Sequence, residues 1–275
     1  MSGCRTLSAL EHTPPPGEPR FFPQGLLWAL AIVTAWVVSL LMLLVLPLQG
    51  PGLPPLAWLP LILIRTFLQT GLFIVGHDAM HGSLLPASTR WNERIGRLVL
   101  ALYAGLPWEP SCRKHHNHHQ APGSLLDPDH QGARPGGPVR WYGRFMASYL
   151  SVNQLAGLIG AWLVALLLLR PLTPHPLAGL LLVWILPLVL SSLQLFVVGT
   201  YLPHRQGEGR SVDRHRAASL PWPETLSLLA CYHFGYHWEH HRHPQLPWYS
   251  LPAARRLMTV PGGGPSPLAP LVSRR

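Results

Sequence analysis

The chain has 275 residues, of which 48% are hydrophobic and only 12% charged, with a mean hydropathy of +0.20. A soluble domain carries about 25% charged residues, so this composition excludes an ordinary soluble globular protein and points to one built in a membrane. The formal charge of +10 is spread through loops between apolar runs rather than gathered in a stripe. It reads as topology signals and contacts with anionic lipid, with no nucleic-acid partner.

Residues 1–25 are polar and proline-rich (EHTPPPGEPR) and read as a flexible N-terminal tail. An uncharged apolar run at 26–46 follows, long enough to span a bilayer and without the short apolar core and cleavage site of a signal peptide. A second span is expected at about 56–75, leading straight into GHDAMH; a third at about 153–169; and a fourth at about 177–201. Two weaker apolar stretches, 98–106 and 226–232, are too short to cross about 30 Å of hydrocarbon and read as interfacial or re-entrant helices. Residues 26–255 then form a single all-α membrane domain, capped by a histidine-rich region, with 256–275 as a flexible C-terminal tail.

Arginine and lysine give the orientation. Segment 82–152 holds seven arginines plus Lys114, and the part after residue 201 holds nine arginines. Four spans with both termini inside satisfy the positive-inside rule. Arg65 falls within the second span and reads as snorkelling to the outer interface or meeting a buried partner. Three cysteines (Cys4, Cys112, Cys231) lie far apart without a CxxC, which argues against a disulfide framework.

The histidines sort to one membrane face. In HDAMH, His77 and His81 are four apart and stack on one face of a helix. In HHNHH, His115, His118 and His119 share a face, while His116 is turned about 100° from His115. In HWEHH, His237, His240 and His241 repeat that i, i+3, i+4 spacing. Burying eight polar rings without a shared partner is costly, and a metal-buffering tract would be contiguous and of low complexity, so matched boxes point to a metal centre. Eight ligands exceed the four to six that one ion takes, so two ions are the economical reading, with zinc, copper, nickel and iron all compatible with imidazole. Asp78 and Glu239 inside the boxes, and Asp127 and Asp129 after the second, are expected to accept the outer N–H of ligand rings and offset charge. A cap or solvated loop acid is the competing reading, strongest for Asp127 before Pro128.

Four stretches carry a closer likeness: GLFIVGHDAMHGSL (71–84), RKHHNHHQAPGSLLDPD (113–129), SSLQLFVVGTYLPHR (191–205) and CYHFGYHWEHHRHPQLPWYSLP (231–252). In order and spacing they resemble the CrtW-type β-carotene ketolases, within the membrane fatty-acid-desaturase-like di-iron superfamily. The resemblance covers about residues 55–255; His130 stands where the family more often has an aromatic, and so is a weak ligand candidate. It implies a fatty-acid-desaturase-like fold, two iron ions, O2, an external electron donor such as ferredoxin, and a carotenoid substrate. The implied reaction is a mono-oxygenation: two hydroxylations of the β-ionone ring at position 4, then dehydration to a ketone, taking β-carotene through echinenone to canthaxanthin. It also implies a further ligand from the end of the fourth span, here His204, with an interfacial histidine as the alternative. Location in a bacterial plasma membrane, with the site facing the cytoplasm, follows from the same reading. A carotenoid ring hydroxylase, or a fatty-acyl desaturase or hydroxylase, could use the same centre; a membrane metal transporter would instead place ionisable residues along its spans.

Two histidines near the third box need separate placement. His243 lies about 240° round a helix from His237 and precedes Pro244, which sets it off the ligand face. His233 lies one turn before His237 on the same stripe, so periodicity leaves it open as a ligand; the resemblance, whose box starts at His237, implies a place beside the ligands or near substrate.

Overall fold

A computed structural model describes residues 24–45, 54–131, 136–205 and 214–258, and among them the regular structure is entirely helical. The tails expected at 1–25 and 256–275 lie outside the described residues except at their inner ends, where 24–25 and 256–258 are helical. Among the described residues, four helices are long and apolar enough to cross a bilayer. They are α1 (Gln24–Val45), α2 (Pro55–Met80), α6 (Val152–Leu169), and a fourth rod made of α7 (Pro176–Leu180), α8 (Leu186–Leu195) and α9 (Leu202–His204). π-helical turns at Leu181–Ile185 and Phe196–Tyr201 join the three pieces of that rod. Such turns were not expected from the sequence, because their signal is one extra residue in a helical turn rather than a change in hydrophobic pattern.

Helix α2 is the axis of the molecule, packing against α1, α3 (Thr89–Ala104) and α8. Half of its apolar window is buried by protein, against 6% for α6. The bare face of α6 is apolar (Leu155, Ile159, Leu163, Leu167), as a lipid-facing surface must be. The second span runs five residues beyond the expected end at 75, carrying His77 on the spanning helix itself. It continues because Gly76 lets the α3 side chain Leu100 lie against its backbone; a Cβ there would sit 2.6 Å from Leu100. It stops where Gly82 takes a left-handed conformation at φ 72° and the Ser83 amide returns to the Asp78 carbonyl.

Several polar groups inside the spans find protein partners. Arg65 is fully buried, donating to the carbonyls of Trp36 (2.7 Å) and Val183 (3.0 Å) and to Ser39 Oγ (2.8 Å). The partner reading of this residue therefore holds and the snorkelling reading does not. One turn on, Gln69 accepts from Trp36 Nε1 and donates to the Tyr103 carbonyl, each at 2.6 Å. In hydrocarbon such groups have no water to turn to, so these bonds tie α1, α3 and the fourth rod to α2.

The remaining elements cap one end of the bundle. They are α4 (Trp108–Gln120), α5 (Pro138–Tyr149), α10 (Glu224–Cys231), α11 (His237–Arg242) and α12 (Leu251–Met258). The two short apolar stretches at 98–106 and 226–232 fall largely in α3 and α10, neither of which is a span.

Candidate metal centre

All nine histidines expected as ligands converge on two adjacent groups. His77, His81, His115, His119 and His240 form the first, and His118, His204, His237 and His241 the second; in each, one ring nitrogen per residue lies within 4.8 Å of the others. The helical spacing explains why each box divides. His118 and His119 are adjacent on α4, so they point about 100° apart, one into each group. On α11, His240 serves the first group while His237 and His241, four apart, serve the second.

The distances fit ions of the size expected. Facing Nε2 atoms are 2.7 Å apart for His81–His115, 3.0 Å for His119–His240, 3.0 Å for His118–His241 and 3.1 Å for His237–His241. Nitrogens ~2.0–2.1 Å from a common metal and at right angles to each other would lie about 3 Å apart. The Nε2 atoms of His77 and His204 are buried without a hydrogen-bond partner, as metal-facing atoms would be.

Outer contacts fix the ring orientations. His118 Nδ1 is 2.9 Å from Asp127 Oδ1, and His204 Nδ1 is 2.9 Å from the carbonyl of Arg216, which leaves each Nε2 free to bind. His77 Nδ1 lies 3.4 Å from Asp78 Oδ1, whose other oxygen accepts the backbone amide of Trp248 at 3.0 Å. Asp127 is thus no solvated loop acid: it is buried, and also accepts the backbone amides of Gly123 and Asp129.

Electrostatics keep the rings in their ligating form. Burial, then the charge of neighbouring imidazoles, holds His81, His115, His119, His237, His240 and His241 well below the usual histidine range, and so neutral. His118 is the exception. Burial pushes it down, but the hydrogen bond to Asp127 and the charges of Asp129 and Asp127 outweigh that and raise it. Burial pushes Asp129 up to about 6, while His118 holds Asp127 below the usual carboxylate range against its own burial.

Comparison with known proteins gives the family. Residues 53–261 match the fatty acid desaturase family. The chain belongs to that family. A β-carotene ketolase of Paracoccus sp. (strain PC1) is 45% identical over 197 residues, covering 70% of this chain and 76% of the relative. β-Carotene 4-ketolase 3 of Haematococcus lacustris is 34% identical over 275 residues, covering 90% and 83%. A zeaxanthin 4-ketolase of Chlamydomonas reinhardtii is 38% identical over 200 residues, covering 70% of this chain and 42% of the relative. With four apolar spans, this desaturase-family chain is an integral membrane oxidoreductase.

Other sequence expectations need correction against the geometry. Glu239 is buried beside the centre, but its oxygens are taken by the Ser219 hydroxyl and by Arg255 Nη1 at 3.1 Å, not by a histidine ring. The third box closes on itself at α11, so this acid, between His237 and His240, is left to brace the helix against α12. His233 is not on the stripe of His237. Helix α10 ends at Cys231, and Tyr232 and His233 both take left-handed backbone (φ 48° and 60°), which breaks the helical register. The His233 ring instead stacks on Tyr236, at 5.6 Å between centroids. His130 and His243 fall outside both groups, and His116 Nε2 lies 3.1 Å from the Met80 carbonyl, away from the first group.

The sequence had not shown a substrate space. A cavity of ≈ 260 Å³ reaches the centre, lined there by His77, His115, His118 and His237. Leu155, Leu158 and Trp162 of α6 and Leu188 and Val189 of α8 line it further out. Gly199 in the second π-helical turn leaves room for the ring of Phe234, which a Cβ would approach to 2.5 Å, and both residues form cavity wall.

Proposed function

We propose that the protein is a β-carotene ketolase that oxidises the β-ionone ring at position 4. The observation that carries this reading is an apolar cavity, walled in part by three spanning helices, that ends on two adjacent groups of imidazoles. A polyene hydrocarbon is dissolved in the bilayer, and α6, almost bare of protein contacts, borders the cavity on its lipid side. The ketolase names of the relatives at 34–45% identity support the substrate class.

Iron bound by His77, His81, His115, His119 and His240, and by His118, His204, His237 and His241, would supply the activation of O2 and the removal of hydrogen from carbon. The chain's own residues do the rest. Asp78, Asp127 and the Arg216 carbonyl orient His77, His118 and His204. The apolar walls exclude water and receive the ring beside the histidines. Each round consumes one O2, two electrons and two protons, turning C–H into C–OH and releasing water. A second round at the same carbon gives a geminal diol, which loses water to leave the ketone. The site and both termini face the cytoplasm of a bacterial plasma membrane, where a soluble carrier such as ferredoxin delivers the electrons.

Expression in β-carotene-accumulating cells, with pigments separated by HPLC, tests the reading. Echinenone and canthaxanthin are expected. Ring alcohols alone would make it a hydroxylase, and unchanged pigment with altered acyl chains would make it a desaturase.

A further inference from the structure

A ketone requires the ring to be oxidised twice at one carbon. Between the rounds the substrate is an alcohol, which the interface of a bilayer solvates better than an apolar cavity does. Burying a hydroxyl without a partner costs roughly 1–3 kcal/mol, so bare apolar walls would favour its escape before the second oxidation. Something in the cavity must hold the hydroxyl.

The polar side chains of the cavity wall differ in whether they have capacity to spare. Tyr142 Oη and Ser192 Oγ bond each other at 2.7 Å, and Tyr103 Oη accepts from Ser191 Oγ at 3.4 Å. Asp129 is different. It lines the cavity, is only 8% exposed, and its Oδ1 is buried with no hydrogen-bond partner among the described residues. Its other oxygen, Oδ2, lies 3.8 Å from His118 Nδ1, which puts the carboxyl beside a ring of the four-histidine group.

The carboxyl is also held in place. The Tyr149 hydroxyl, in the same cavity wall, lies beside the Asp129 carboxyl, and Trp141 Nε1 donates to the Asp129 carbonyl at 2.7 Å. The Tyr149 ring is itself pinned by the Lys114 ammonium 5.1 Å from its centroid and by Phe145 at 5.0 Å.

We propose that Asp129, positioned by Tyr149, accepts a hydrogen bond from the ring hydroxyl formed in the first oxidation and so retains the alcohol for the second. The inference rests on the ketolase reading. No covalent step is added to that reaction: the alcohol's O–H donates to Oδ1, and the C–H on the same carbon stays turned toward the histidines. The ligand class is an allylic ring alcohol of an otherwise apolar polyene.

The test is binding of β-carotene and of its 4-hydroxy derivative to the purified, metal-loaded chain in lipid nanodiscs without an electron donor, read by quenching of tryptophan fluorescence, to which the wall residue Trp162 contributes. A hydrogen bond to a charged acceptor predicts a preference for the alcohol of about tenfold or more in the wild type. Asp129→Leu should abolish the preference, and Tyr149→Phe should lower it by about threefold while leaving the fold intact by circular dichroism. In pigment-producing cells both variants should raise the ratio of 4-hydroxy to 4-keto product, whatever the total turnover. Equal wild-type affinities for the two pigments, or an unchanged preference in Tyr149→Phe, would overturn the proposal. Absence of any ketone from wild-type cells would overturn the ketolase reading instead, which the binding ratio does not touch.

Discussion

The two histidine groups are built from the same boxes but held in different ways. The five-histidine group draws one or two rings from each of α2, α4 and α11, plus the cap of α2, and every member belongs to a box. The four-histidine group has only three box residues and is completed by His204, at the end of the fourth rod just after a π-helical turn. It also has two acids at its back, Asp127 and Asp129 both facing His118, where the other group has the single Asp78 beside His77. One group is thus defined by helical periodicity, while the other depends on a tertiary approach and on charge balance. Substitutions should separate them.

The largest effect is expected in the group fully composed of box residues. His240 faces His119 at 3.0 Å and packs against His77 and His81. His240→Ala should abolish ketone formation and cost more than the ~10–100-fold in metal affinity that loss of an outer partner costs. Iron per chain by mass spectrometry checks this, and retention of both metals with activity would show that the five-histidine group is not a metal site. His204→Ala comes next. It should halve bound iron by emptying the four-histidine group alone, and full iron with normal turnover would remove His204 from the centre.

Smaller effects should follow from the supports. Asp127→Asn keeps shape but loses the charge facing His118, so metal affinity of the four-histidine group should fall by ~10–100-fold, read by chelator competition. The metal-free protein should also lose stability in acid. Six box histidines have folded pKa values well below 6.5, so as pH falls below that value the unfolded chain takes up protons that the folded chain refuses. Each can contribute up to about 1.4 kcal/mol of lost stability per pH unit, partly opposed by His118, whose folded pKa is raised. Melting in detergent from pH 7 to 5 should therefore show a steadily falling midpoint, and a rising one would contradict neutral burial. Smallest of all, Glu239→Gln should lower the melting midpoint by weakening the tie to Arg255 and Ser219 while leaving iron bound. Loss of iron in that variant would restore Glu239 to the set of acids that hold ligand rings.

Much of this was legible from residue order because local physics controlled it. Apolar runs marked the four spans, and i, i+3, i+4 spacing put His115, His118 and His119 on one face of α4. What residue order could not give was the sorting across helices. His118 and His119 share a face broadly, yet belong to different groups because α9 brings His204 to one and the end of α2 brings His77 and His81 to the other, with α11 contributing to both. The end of the second span was misplaced because GHDAMH is polar by composition, whereas burial against α3 keeps it helical. Stripe reasoning failed at His233 for a related reason: a left-handed pair of residues resets the helix phase without glycine or proline at either position. Nor could the pairing of Asp129 with Tyr149 be read, since it depends on how α5 returns over the loop after α4.

The measurement closest to the central claim is an anomalous difference map of the iron-loaded protein recorded at the iron edge. Two peaks per chain are expected, one enclosed by His77, His81, His115, His119 and His240 and the other by His118, His204, His237 and His241. A single peak, or a second peak displaced to Asp127 and Asp129 and away from His204, would contradict the paired centre.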